Sequence, residues 1–153
     1  MDEKTIMGIT EGILNFVVSN IGKEKTNDSN LKLLLLVHDA KNLYSNYDQY
    51  IENSKRDGTY NSDEFVIKSE ELFDKFNDSI IQIIEYNKNK KIEQKYRKII
   101  NKIDKFYTEW HTYYEKKWKY NLQPSDIERE KYGREFIVYI TCVVQLLHKI
   151  DLY

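Results

Sequence analysis

Apolar residues recur in steps of three and four along five stretches of this chain, and polar punctuation separates the stretches. That period gathers them on one face of an α-helix. The first stretch, about residues 3–22, aligns Ile6, Ile9, Ile13, Phe16 or Val17 and Ile21, and Gly22 supplies a stop. The second begins near Asp28 or Ser29 as N-cap and carries Leu33, Val37, Ala40, Tyr44, Tyr47 and Ile51 inward. It ends in KRDGTYNS, where Asp57-Gly58 breaks the period.

The third stretch has Asn61 or Ser62 as cap and Glu64 or Phe65 in its first turn. Phe65, Leu72, Phe76, Ile80 and Ile83 form its seam, reinforced by Phe73 and Ile84, and the asparagines of YNKNKK at 86–91 predict a break. The fourth, about 90–119, is the most regular. Ile92, Tyr96, Ile99, Ile103, Phe106, Trp110 and Tyr113 step 4, 3, 4, 3, 4, 3 as a heptad seam. NLQPSDIE closes it, and Ser125 with Glu128 behind Pro124 forms a capping box for the fifth. That last helix turns Phe136, Ile140, Val143 or Val144 and Leu147 inward, and Gly133 predicts a bend or separate first turns.

One proline and five glycines leave few places to turn. The expected fold is all-α, an antiparallel bundle of four to five helices in a single domain over residues 1–153. The longest apolar run, FIVYITCVVQLL at 136–147, is too short for a membrane span of roughly 20 residues, so it reads as a buried helix. MDEKTIMGIT begins acidic and lacks the apolar run of a secretory signal. A lone cysteine, Cys142, cannot form an internal disulfide and suits a reducing cytoplasm, with inert packing as its expected role. The abundance of Asn, Lys, Ile and Tyr is what an AT-rich genome produces.

The stretch FYTEWHTYYEKKWKY at 106–120 is dense in aromatic rings. On the heptad frame Phe106, Trp110 and Tyr113 occupy the seam, while Tyr107 and Tyr114 widen it beside Ile100, so most of the stretch reads as core. His111 and Trp118 fall outside, on the column of Arg97 and Asp104. An indole on a charged column needs cover from a loop or another molecule. His111, Tyr114 and Trp118 are therefore the candidate partner-binding residues.

Charge divides the chain. Residues 1–87 carry a balance of −7, residues 88–119 of +7 and the last 34 of −1. Lys88, Lys91, Lys95, Lys98, Lys102 and Lys105 step 3, 4, 3, 4, 3 and are expected as one stripe beside the seam of the fourth helix. Such a stripe is either a solvated flank complementing the acidic second and third helices, or a track for phosphates or an acidic partner.

Motifs for several chemistries are missing. The chain has no Walker-type or GxGxxG loop, no HExxH, no paired ExxH and no cysteine cluster. After Arg97 and Arg134 the next histidine comes fourteen residues on, unlike small helical ribonucleases with Arg and His close together on one helix. His38-Asp39 are adjacent, and neighbours on a helix point about 100° apart. His111 and Glu115 sit one turn apart, the spacing of an ordinary surface pair. No catalytic residue, metal ligand or cofactor site is assigned.

KYGREFIVYI at 131–140 resembles the Gly-Arg followed by an apolar helix that Bcl-2-type proteins carry at their groove. The resemblance implies a viral-inhibitor role and would implicate Gly133 and Arg134. Lys-Tyr stands where that family has Asn-Trp, and thirteen residues follow where it places further helices. The leading expectation is a non-enzymatic interaction module (adaptor, accessory subunit or inhibitor) that acts through a protein partner or a homo-oligomer. Nucleic-acid binding through the lysines comes second, and the Bcl-2-type inhibitor or an unrecognised enzyme after it.

Overall fold

The computed structural model describes residues 28–115 and 125–150, and all of its regular structure there is helical. Four helices follow one another: α1 (Asp28–Asp57), α2 (Asp63–Asn89), α3 (Gln94–Tyr113) and α4 (Asp126–Lys149). The fold is all-α, built from the antiparallel helix packing that bundles use. The helix expected at 3–22 lies outside the described residues. One domain is expected from the chain's length, and the chain divides into two compact units, Met1–Glu93 and Gln94–Tyr153.

In the first unit α1 packs against α2. Ring pairs Tyr44–Phe76, Tyr47–Phe73 and Tyr50–Phe65 step down the two helices in opposite directions, with centroids 5.7, 5.9 and 5.7 Å apart. Leu33, Val37, Ala40, Phe76, Ile80 and Ile83 are sealed between them. Tyr44, Tyr47 and Ile51 are only half-buried.

The turn between α1 and α2 follows from local chemistry. Gly58 takes φ 75°, left-handed backbone that costs glycine nothing. This brings the amides of Thr59 and Tyr60 onto the carbonyl of Ser54, at 2.9 and 3.2 Å, and so satisfies the helix end. Asn61 also has positive φ, which asparagine tolerates. Ser62 then caps α2, its hydroxyl accepting from the amide of Phe65 at 3.1 Å.

At its other end the pair is tied by side chains. The Tyr86 hydroxyl donates to the Ser29 carbonyl at 2.9 Å, and buried Asn30 accepts from the amide of Glu93 at 3.1 Å. Lys90 is extended at φ −125°, ψ 151°, and α3 begins only at Gln94. The helix expected to run from about residue 90 therefore starts four residues later. Ile92 is buried as expected, but in the connection rather than on the helix.

In the second unit α3 packs against α4. Ser125 caps α4 by accepting from the amide of Glu128 at 3.2 Å, as the capping box requires. The helix runs unbroken through Gly133, so its first turns are not the separate segment that is one of the two expectations there. Its buried line is Tyr139, Ile140, Val143, Leu146, Leu147 and Ile150, while Phe136 is half-buried. On α3 the buried residues are Tyr96, Ile100, Ile103 and Trp110. Ile99, Phe106 and Tyr113, expected on the seam, are half-buried, so the face is turned toward Ile100.

Candidate functional site

Six rings meet where the end of α3 crosses α4. Trp110 lies against Tyr139 with centroids 4.7 Å apart and planes 13° from parallel, and it meets Phe136 at 6.2 Å. Tyr107 tilts onto Tyr139 at 6.3 Å. Tyr114 stacks on Trp110 at 5.5 Å and tilts onto Tyr132 at 6.1 Å, and Tyr132 lies 6.2 Å from Phe136. Alternating steps of three and four on each helix place these rings in one layer.

Two of the expected partner-binding residues sit on the rim of this layer. His111 stacks on Tyr107 at 5.4 Å and 9°, and its Nε2 lies 3.7 Å from Glu115 Oε1. The imidazole is 44% exposed, and the pair is an ion pair only with a protonated ring. Tyr114 is half-buried. Trp118, the third, lies outside the described residues. Tyr113 adds to the rim, with Lys131 Nζ 5.5 Å from its ring centre. Burial raises the pKa of the Tyr113 phenol, and the carboxylates of Glu135 and Glu128 add to the effect. Backbone at Tyr114 and Glu115 is wound as a π-helical turn, a form frequent at functional sites.

Among the described residues no three His, Cys, Asp or Glu side chains gather closely enough to hold a metal ion. No described helix is long and apolar enough to cross a membrane. Chain against family models, curated proteins and solved structures: nothing matches. Gly133 and Arg134, implicated by the Bcl-2-type resemblance, lie on the unbroken α4. A Cβ at Gly133 would meet open space, and Arg134 pairs with Glu130 at 3.3 Å.

The expected lysine stripe is not one helical line. Lys88 belongs to the last turn of α2 and Lys91 to the connection, both in the first unit, because the chain leaves the helix at Lys90. Lys95, Lys98, Lys102 and Lys105 do share one exposed face of α3. Lys95 Nζ lies 5.0 Å from the centre of the Tyr96 ring.

Tyr132 and Tyr139 go unnamed in a reading that follows Phe136 and Ile140. The signal for them is the 4, 3 spacing of Tyr132, Phe136 and Tyr139, which continues the aromatic pattern of α3 onto its neighbour.

Proposed function

We propose that this protein is a non-enzymatic interaction module, an adaptor, accessory subunit or inhibitor working through a protein partner or self-association. The observation that carries it is the ring layer with its rim. Trp110 and Tyr139 fix the inner rings, while His111, Tyr113, Tyr114 and Tyr132 remain partly open. Such rings offer large contact area with few rotatable bonds, plus polar edges for hydrogen bonding, and so lose little entropy on docking. Half-buried Cys142, the lone cysteine of the chain, suits a reducing cytoplasm as the setting.

The test pairs purification from the native host with sedimentation. A stoichiometric complex, hetero- or homomeric, should form with the unaltered chain, and any complex seated on the ring layer should be lost with His111→Ala plus Tyr114→Ala, helicity being unchanged. A strict monomer at high concentration with no stoichiometric partner overturns the reading.

A second reading, nucleic-acid binding, is favoured by the exposed lysine face of α3. If it holds, replacing Lys98, Lys102 and Lys105 by Gln should lower the logarithmic salt slope of binding by about 3 and weaken all sequences alike. An unchanged slope removes it.

A further inference from the structure

Two rows of opposite charge run along different helices. On α2, Ile67, Glu71, Asp74, Asp78, Ile81 and Glu85 step 4, 3, 4, 3 and 4, so one line of the helix carries four carboxylates. All four are exposed. Glu71 lies 3.7 Å from Lys68, whereas Asp74, Asp78 and Glu85 make no ion pair among the described residues of their own unit. On α3, Lys95, Lys98, Lys102 and Lys105 step 3, 4 and 3. Lys98, Lys102 and Lys105 likewise have no carboxylate partner among the described residues of their own unit.

The rows match in more than sign. Asp74 to Glu85 spans about 16 Å of helix and Lys95 to Lys105 about 15 Å, at the rise of an α-helix. Each also borders apolar surface. Ile67 is 63% exposed within the acidic row, and half-buried Ile99 and Phe106 flank the lysines. Charge pairs exposed to water set direction and partner choice more than strength, so the apolar neighbours matter for holding the contact. With a net charge of −1, two copies of the chain meet little overall repulsion.

We infer that the occupant of the α3 lysine row is the acidic row of α2 on a second copy of this chain. The inference rests on the reading of the protein as an interaction module and names the partner for its self-association. Since the two rows lie on different helices, each contact is between unlike surfaces. Such contacts either close as a two-fold pair with two equivalent junctions or continue into a chain of copies.

Complementary charge reversal tests it by analytical ultracentrifugation of the whole chain. One variant carries Lys98→Glu, Lys102→Glu and Lys105→Glu, the other Asp74→Lys, Asp78→Lys and Glu85→Lys, with helicity confirming that each folds. The unaltered protein should self-associate at low ionic strength and weaken by about tenfold or more as salt shortens the reach of charge from about 10 Å toward about 3 Å. Each variant alone should be monomeric, and an equimolar mixture should associate again. A monomeric parent at hundreds of micromolar in low salt overturns the inference, as does a parent that associates while the mixture does not. If that monomeric parent still forms a partner complex sensitive to His111 and Tyr114, the inference falls and the interaction reading stands. If instead it binds nucleic acid and the lysine reversal abolishes that binding, the row is a phosphate track and both fall.

Discussion

The indole of Trp110 lies on the phenol ring of Tyr139, 4.7 Å between centroids, and both side chains are buried. This contact joins the end of α3 to the middle of α4. Truncating either large ring to Ala should cost about 3–5 kcal/mol in urea unfolding. A double-mutant cycle with Leu at both positions should return about 0.5–1.5 kcal/mol of coupling beyond burial. Independent, additive losses would show that the two rings do not support each other.

On α3, Ile100 and Ile103 are fully buried and Ile99 is not. Ile100→Ala and Ile103→Ala should each cost about 2–5 kcal/mol, and Ile99→Ala clearly less. Equal losses at 99 and 100 in denaturant titrations would place the buried face back on the heptad seam.

Gly133→Ala should stabilise the protein by about 0.5–1 kcal/mol, since glycine inside a helix costs backbone entropy and its missing Cβ has room. Loss of stability, or loss of partner binding with stability gained, would mean that backbone at this point is approached by another group. A shift in thermal midpoint reads the sign directly.

Burial raises the phenol of Tyr47 to about 12 from its ordinary 10, with smaller contributions from Tyr44, Tyr60 and Asp48. The folded state therefore holds this proton more tightly than the unfolded chain. Its contribution to stability is complete below pH 10 and is lost as pH rises from there through about 12. Tyr47→Phe should flatten the alkaline limb of stability against pH; an unchanged limb would contradict the assignment.

His38 works at the opposite end. Burial lowers its pKa below 6.5, assisted by Lys41 and opposed by Asp39. Neutral His38 is the folded form, so its contribution is present above pH 6.5 and declines as pH falls through the lowered value. Replacing His38 by Gln should reduce the loss of stability on mild acidification, measured by chemical unfolding at pH 7 and pH 5.

The helix starts at Ser62 and Ser125 are legible in the sequence because a serine hydroxyl facing an open first turn has one local outcome. The buried face of α3 is harder. Ile99-Ile100, Phe106-Tyr107 and Tyr113-Tyr114 are adjacent apolar pairs, so a 4, 3 pattern fits whichever member of each pair is chosen. Ile100 is the buried member of its pair and Tyr107 the one that meets Tyr139, and that contact depends on a residue on another helix. The break at Lys90 is foreshadowed by the asparagines, but its end is held at Glu93, whose amide reaches Asn30 sixty-three residues earlier. The rim of the ring layer is readable as His111 and Tyr114, whereas Tyr132 joins it only through the antiparallel pairing of α3 with α4.

The bond from Glu93 to Asn30 also gives the α1–α2 pair an order of completion during synthesis. Every contact described between α1 and α2, and the tie at Asn30, uses residues up to 93. A nascent chain needs only to have cleared the ribosomal tunnel through Glu93 for the hairpin to latch, before α3 and α4 have emerged. Domains generally fold as units in this vectorial way. A chain stalled with Glu93 already outside the tunnel should show the α1–α2 pair protected from protease, and one stalled with the second half of α2 still inside should not.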